Sequence, residues 1–293
     1  MKKKISKLLY VIVLAVVSFV LTELGILVPA EANPVELTKS GDTVSVLSVG
    51  QANSILISSG GKYCLIDAGY TEEGHTDPVS YLKEVGVTEI EMLVITHFHS
   101  DHTSEILDVM DNFKVKKILI PNLTKENTPT SSFFNKMLTR VEERNIKLIA
   151  AQKGKSYTIG NGKLKVLDDT YNDLGVNDTS IATLFTQGDF TYLNTADGEK
   201  KYEKRFVEVF NKEVTLFVAG HHGSSTSNTE PLMSVIKPQF VAISAGKDNE
   251  YGHPHKETIE LLEKENIQYN ITFEEDTLVY SITEGVLLNS TGG

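Results

Sequence analysis

His97-Phe98-His99-Ser100-Asp101-His102 places four metal-ligating side chains within six residues. Imidazole nitrogen and carboxylate oxygen together suit zinc or a comparable divalent metal. The run follows an apolar stretch, Met92 to Ile95, that reads as a strand, and it precedes a segment of helical spacing. Side chains alternate along extended backbone, so His97 and His99 leave the strand end on the same side. Asp101 and His102 fall at the turn into the helix, where they can swing to a second position. The chain has 8 histidines, and a solvated polar loop would rarely gather three of them round one aspartate.

Those residues need a frame. Strands are expected over Thr43 to Val49, Ser54 to Ile57, Tyr63 to Ile66, Glu91 to Ile95, Lys117 to Ile120 and Lys163 to Leu167. More follow at Ile181 to Phe185, Phe190 to Asn194, Val214 to Val218 and Phe240 to Ile243, and Thr277 to Ile282 pairs with Val286 to Asn289 as a closing hairpin. Gly60-Gly61 and Gln187-Gly188-Asp189 supply turns. Helices are expected near Pro78 to Val85, Thr103 to Met110, Ser131 to Arg144, Lys200 to Phe210 and Lys256 to Glu265. With no repeat, low-complexity tract or linker, this interleaving implies one domain in which mixed sheets are covered by helices.

Residues 1–32 are expected to stand outside that domain. Lys2, Lys3, Lys4 and Lys7 precede an apolar run from Leu8 to Leu21, and Ala30-Glu31-Ala32 offers small residues before a cut at Asn33. This is the layout of a secretory signal peptide, with an uncleaved anchor as the alternative because Leu24 to Val28 prolongs the run past Glu23. Residues 33–293 would then be one secreted or membrane-anchored domain. One cysteine cannot form an internal disulfide or a thiolate zinc cage. Cys64, in an apolar strand, reads as packing. The net charge of -11 repels nucleic acid at long range. A nucleic-acid substrate would therefore need a local cation, either a basic patch or bound metal. Lys200, Lys201, Lys204 and Arg205 form either such a rim or a solvated helix face.

The run at 97–102 resembles the HxHxDH signature of the metallo-β-lactamase superfamily. Asp197, after the strand Phe190 to Asn194, and His221-His222-Gly223-Ser224, after Val214 to Val218, occupy strand ends where that family draws further ligands. Val49-Gly50-Gln51, Leu65-Ile66-Asp67-Ala68-Gly69, Asn177-Asp178-Thr179-Ser180 and Tyr251-Gly252-His253-Pro254 complete an ordered series. The series is similar to the hydrolase domain of the ComEC competence proteins and its free-standing secreted relatives, and it covers about residues 43 to 275. The resemblance implies an α/β (α+β) fold, the four-layer αββα sandwich, with two mixed sheets flanked by helices. It implies two divalent metal ions, zinc or manganese. His97 and His99 would hold the first metal, Asp101, His102 and His221 the second, and Asp197 would bridge them. Where many members supply a third histidine to the first metal, this chain has Asn177-Asp178; Asp178 either ligates or leaves that metal more open. His222 is an alternate ligand or supports one from behind, as Asp67 does unless it only caps its own turn. Asp101 and His253 are the expected catalytic residues, His253 as donor to an oxyanion or leaving group. Ser48, Ala52, Asn53, Ala196 and Ser104-Glu105 depart from the family pattern, and none removes a ligand.

A hydroxide held between two cations is a strong nucleophile near neutral pH, because coordination lowers the pKa of water toward about 7. Phosphodiesters suit such a site, so the first expectation is a nuclease or phosphodiesterase. Phosphorylcholine esterase is an alternative, weakened because choline cages favour Trp and this chain has 0. A lactonase or β-lactamase is a third reading. A metal-stabilised extracellular binding protein is the non-enzyme reading. No stable protein partner is implied, and contact with a membrane is expected only through an uncleaved N-terminal segment.

Overall fold

Apolar side chains on both faces of successive strands force two coverings on each sheet, and the computed structural model, which describes residues 41–70, 74–125, 127–168, 175–284 and 287–289, supplies them. The segment 1–32 lies outside the described residues. Three strands come first, β1 (Thr43–Val46), β2 (Ile55–Ser59) and β3 (Lys62–Ile66), with Gly60-Gly61 turning β2 into β3. Next are α1 (Pro78–Glu84), β4 (Glu89–Ile90), β5 (Met92–Val94), the single turn α2 (Ser100–Thr103), α3 (Ile106–Asn112) and β6 (Lys114–Val115). β7 (Lys117–Ile120), α4 (Ser132–Glu143) and β8 (Lys147–Ala150) follow. The second half runs through β9 (Ser156–Ile159), β10 (Gly162–Asp168), β11 (Ala182–Gln187), β12 (Phe190–Asn194), α5 (Lys200–Val209) and β13 (Leu216–Val218). It ends with α6 (Glu230–Ile236), β14 (Phe240–Ile243), α7 (Lys256–Lys264), β15 (Gln268–Ile271), α8 (Thr272–Glu275), β16 (Leu278–Ser281) and β17 (Leu287–Asn289).

One sheet has the order β17-β16-β1-β2-β3-β5-β7-β8, and the other β15-β14-β13-β12-β11-β10-β9. Each is antiparallel in one part and parallel in the other: β3-β5-β7-β8 run parallel, as do β12-β13-β14-β15. The period of two distributes the core. Ile55, Ile57, Cys64, Ile66, Met92 and Val94 meet Leu164, Val166, Tyr192, Leu216 and Val218 between the sheets. The intervening Leu56, Leu65 and Leu93 face Leu82, Val109, Phe134 and Met137 of the helices α1, α3 and α4. On the far side, Leu193, Phe217 and Val241 face Tyr202, Phe206, Leu232 and Leu262 of α5, α6 and α7. The result is the expected αββα order of layers. Cys64 is fully buried, and burial pushes its thiol pKa up. Among the described residues no helix is long and apolar enough to cross a membrane.

The expected helix from Thr103 to Met110 is two helices, α2 and α3. The Glu105 N–H donates to the Ala68 carbonyl (2.9 Å), while the Asp101 carbonyl accepts from Asn53 N–H (2.9 Å). Tertiary bonds have replaced the helical bond between residues 105 and 101. β8, β9, β15 and α6 are not foreseen in the sequence. The three strands are half-exposed and mixed in polarity, which hides the alternation that marks a strand.

Candidate metal centre

Parallel strands from both sheets deliver their carboxyl ends to one place. β3 leads into Asp67, β5 into Thr96 and His97, β12 into Asp197, β13 into His221 and His222, and β14 into Ser244. Such strand ends leave loops free to present side chains, which is why sites gather there. Gly69 is needed for the closest approach, because a Cβ there would lie 1.9 Å from the Asp101 carbonyl oxygen. Gly223 (φ +82) serves likewise, since a Cβ would meet the Pro254 Cβ at 2.6 Å. These two glycines let the Asp67-Ala68-Gly69 and His222-Gly223 turns close round the histidines.

Two donor clusters result, and Asp197 belongs to both. One is Asp101, His102, Asp197 and His222; the other is His97, His99 and Asp197; in each, one ligand atom per residue lies within 4.8 Å of the rest. Asp197 Oδ1 is 3.1 Å from His102 Nε2, and Oδ2 is 3.8 Å from His97 Nε2. His97 Nε2 is 3.1 Å from His99 Nδ1. His97, His102 and Asp197 are buried, and His99 and Asp101 are partly exposed.

The partners behind each ring fix which nitrogen faces inward. Thr96 donates to both oxygens of Asp67, through its N–H to Oδ1 (2.8 Å) and its hydroxyl to Oδ2 (2.7 Å). Asp67 Oδ2, so held, accepts from His102 Nδ1 at 2.7 Å. His222 Nδ1 donates to the Ser244 carbonyl at 2.9 Å, because a carbonyl can only accept. Both rings, when neutral, therefore turn an unprotonated Nε2 into the cluster. His102 Nε2 makes no hydrogen bond there although it is buried. His222 Nε2 faces Asp101 Oδ2 at 3.3 Å. Acceptor facing acceptor at such distances calls for a cation or a proton between them. A carboxylate or carbonyl behind each ring is also what orients a metal-ligating histidine.

Titration tells the same story for the metal-free chain. Burial opposes a charge on His102, but Asp197 and Asp67 outweigh it and raise its pKa well above the ordinary value. Burial and the charge of His102 depress His97 well below. Burial would raise Asp197, yet His102 and His97 hold it well below the usual carboxylate range. Burial raises Asp67. Three carboxylates, Asp67, Asp101 and Asp197, thus converge round these histidines, and a divalent cation would balance their charge.

His222, rather than the expected His221, joins the Asp101 cluster. The cause is the backbone: His221 (φ 51, ψ 49) and His222 (φ 55, ψ 27) are both left-handed, and this tight turn sends His222 inward. His221 points toward the opening, its Nε2 3.8 Å from Asp197 Oδ2 and its Nδ1 3.3 Å from the Thr226 hydroxyl. Asp178 joins neither cluster. Its Oδ1 accepts from the Glu199 N–H (2.8 Å) just before α5. Asn177 lines the opening and donates to Glu199 Oε1 (3.1 Å). In the same motif Ser180 approaches His97 Nδ1 (3.5 Å) and accepts from Asp197 N–H (3.2 Å).

The clusters open into a cleft of about 340 Å³ lined by Gln51, Tyr70, His221, Tyr251 and His253 among others. The Gly246 N–H donates to Gln51 Oε1 (3.1 Å), which sets the amide so that Gln51 Nε2 donates to His253 Nδ1 (3.1 Å). His253 must then carry its proton on Nε2. Burial, and the neighbouring His222 and His221, lower its pKa to about 4. Tyr251, 58% exposed, stacks on His253 at 5.7 Å and 24°, and His253 stacks on His222 at 6.2 Å and 19°.

Thr96, Ser244 and Asn228 escape a reading of the sequence. Asn228 accepts from Gly220 N–H (2.8 Å) and donates to the carbonyls of Gly220 (2.9 Å) and Ser224 (3.1 Å), which staples the double-histidine turn. Thr96 had a signal, a hydroxyl directly before the first histidine. Ser244 acts on His222 through its backbone and had none.

The Metallo-beta-lactamase superfamily model matches residues 47–226. ComE operon protein 3 of Bacillus subtilis is 27% identical over 248 residues, 82% of this chain and 31% of its own length. Recombination protein 2 of Haemophilus influenzae is 25% identical over 237 residues, 78% of this chain and 27% of its own length. The chain thus spans less than a third of the curated relatives it matches. Among solved structures, the metallo-beta-lactamase fold protein YhfI of Bacillus subtilis superposes with a TM-score of 0.53 at 16% identity, over 82% of this chain and 99% of that one. Igni18, a metallo hydrolase of Ignicoccus hospitalis, gives 0.55 at 14%, over 82% and 99%. At these identities the two structures establish the fold alone.

Proposed function

The chain belongs to the metallo-β-lactamase superfamily, and on that premise we propose that this metallo-hydrolase is exported and cleaves phosphodiesters, as a nuclease or phosphodiesterase. The observation that carries the reading is the pair of buried donor clusters joined by Asp197. Asp101, His102, Asp197 and His222 would hold one divalent cation; His97, His99 and Asp197 would hold a second, zinc or manganese. Paired divalent cations lower the pKa of water toward about 7 and stabilise charge on both oxygens of an in-line displacement at phosphorus. The names of two relatives, Recombination protein 2 and Competence protein ComA of Neisseria gonorrhoeae, support a nucleic-acid diester. Export rests on residues 1–32 and their signal-like order.

The chain's own residues perform the remaining tasks. Asp67 and the Ser244 carbonyl hold His102 and His222 in the tautomer whose Nε2 is free to ligate. His221 and His253 face the substrate rather than the cations. His253 Nε2–H, fixed by Gln51, donates to the oxygen on which negative charge develops. Because this donor is preset, it needs no reorientation during the reaction. Tyr251 covers the outer face of His253 and shields it from water.

The test measures metal content of the purified chain and turnover of bis(p-nitrophenyl) phosphate, linear DNA, p-nitrophenyl phosphorylcholine and nitrocefin side by side. Near two equivalents of metal, with diester cleavage abolished in Asp197→Ala, is the expected result. Preference for the choline ester or nitrocefin would reassign the substrate. Bound metal without turnover of any ester would overturn the hydrolase reading in favour of a binding protein.

A further inference from the structure

Among the described residues Tyr251 carries the one aromatic ring that is largely exposed, at 58%. Every other described Phe and Tyr is buried or half-buried. A lone apolar side chain at a surface is ordinary, but this one lines the metal cleft together with His253, His221 and Asp101. One face of the ring lies over His253, with centroids 5.7 Å apart and planes 24° from parallel. The stacking continues inward from His253 to His222 at 6.2 Å and 19°. Tyr251 has no second ring partner among the described residues. The outermost ring of the stack thus keeps its other face for a ligand.

Exposure here is not looseness. Asn249 Oδ1 accepts from the N–H groups of Tyr251 (3.2 Å) and His253 (3.0 Å), while its Nδ2 donates to the Gly246 carbonyl (2.8 Å). The Ser225 N–H donates to His255 Nδ1 (2.9 Å), which leaves His255 Nε2–H to donate to the Tyr251 carbonyl (3.1 Å). Glu250, with a smaller effect from Asp101, raises the pKa of the Tyr251 hydroxyl, so the phenol is neutral near neutral pH. The loop therefore presents a flat, uncharged face that is set in advance, and covering it costs little further ordering. On the phosphodiester reading, His253 faces an oxygen on phosphorus, so whatever lies on Tyr251 is attached close to the cleaved bond. In a nucleic acid the first flat group beyond phosphate and sugar is the base, and every base has a π-face to stack. Bases in a duplex keep their faces against one another, which leaves unpaired nucleotides. A quaternary ammonium calls for a cage of aromatic rings, and here one exposed ring stands alone.

We propose that Tyr251 is the stacking platform for a nucleobase beside the cleaved phosphodiester, and that it makes unpaired nucleotides the preferred substrate. The identity of the ligand rests on the phosphodiester reading, whereas the stacking itself can be measured without cleavage.

The probes are dithymidine monophosphate and two counterparts in which hydrogen replaces one base or the other, each incubated with the metal-loaded chain and resolved by chromatography. The unaltered chain prefers the complete dinucleotide to at least one counterpart. In Tyr251→Ala that preference, taken as a ratio of kcat/KM, falls at least about fivefold, the lower end of what one stacked base contributes. The change lies in KM, because stacking is made equally before and during the reaction. Tyr251→Phe keeps the preference. Since Tyr251 also shields His253, a loss of kcat shared by all three diesters accompanies the alanine variant, and the ratio removes it. The proposal is overturned if the ratio is the same in Tyr251→Ala, if Tyr251→Phe loses as much as Tyr251→Ala, or if duplex DNA is cleaved as fast as a single strand of the same sequence. It is also overturned if Tyr251→Ala selectively loses turnover of p-nitrophenyl phosphorylcholine, which would assign the ring to a quaternary ammonium. In parallel, a dinucleotide carrying 2-aminopurine, whose fluorescence falls on stacking, is titrated with the chain. Quenching that disappears in Tyr251→Ala, without cleavage of any diester, leaves the platform standing while the hydrolase reading fails. Diester cleavage with a base preference that Tyr251 does not affect does the reverse.

Discussion

His221 and His222 are adjacent in sequence, and the turn between them sends their side chains to different places. His222 has a carbonyl behind it and a carboxylate before it, whereas His221 faces the opening. His222→Ala is therefore expected to lose about one metal equivalent and at least about 100-fold in turnover. His221→Ala keeps the metal of the unaltered chain and loses turnover alone, by about 100-fold or more. Metal analysis beside the diester assay decides, and equal metal loss in both variants would refute the division. A second pair, Gln51 and His253, would act as one donor under the proposed function. Removing a preset donor of this kind costs about 100- to 1,000-fold in kcat, and His253→Ala is expected in that range with little change in KM. Gln51→Leu leaves the ring but not its tautomer, and gives a smaller loss. Because His253 has a pKa of about 4, its ring stays neutral between about pH 6 and pH 8. The fold-loss in His253→Ala is thus constant across that window; a loss that grew or shrank with pH there would show that the ring titrates.

Loops at the strand ends hold these side chains, and they are fixed by groups that perform no chemistry. Asn228 (φ 59) makes three hydrogen bonds to the turn that carries the histidines. Glu203 of α5, buried, accepts from the N–H groups of Asn228 (2.6 Å) and Thr229 (2.8 Å) and so ties that turn to the helix. Asn228→Ala strands buried groups of Gly220 and Ser224, at about 1–3 kcal/mol for each left unsatisfied. A fall in melting temperature of several degrees, with His222-dependent metal lost first, is the expected result in calorimetry with parallel metal analysis. An unchanged melt would mean that water or another side chain takes over. These features also separate what the sequence discloses from what it hides. His97, His99, Asp101 and His102 declare themselves because local backbone alone brings them together. Asp197 is legible only through its motif, since its proximity depends on two sheets packing. The exchange of His221 for His222 is illegible, because left-handed backbone at two non-glycine residues is imposed by Asn228 and by the Gly223–Pro254 contact. Central strands were readable from their apolar runs, whereas β8, β9 and β15 were not, because half-exposed strands lack that contrast.

At the scale of the molecule, the two sheets meet along an apolar interior and bring buried carboxylates together at its rim. Asp67 and Asp197 are 0% and 1% exposed. Without metal, the proton held by His102 between them is the principal compensation. Its raised pKa stabilises the metal-free fold fully below the unfolded value near 6.5, and that contribution is lost as pH rises through the folded value. His97 acts in the opposite sense. Its depressed pKa makes the metal-free fold less stable as pH falls below about 6.5, where the unfolded ring takes a proton that the buried ring refuses. A cation at the Asp101, His102, Asp197 and His222 cluster must displace the His102 proton, so metal affinity falls with acidification. At a hundredfold excess over its dissociation constant, one metal ion contributes about 2.7 kcal/mol, which corresponds to roughly 4–5 °C for a chain of this size. Melting with and without chelator should differ by at least that much near pH 8, and the gap should narrow steadily toward pH 6. In His102→Gln, which has no proton to displace, any remaining gap should depend less on pH. A gap that widens on acidification would mean that metal stabilises the fold by a route that does not compete with the His102 proton.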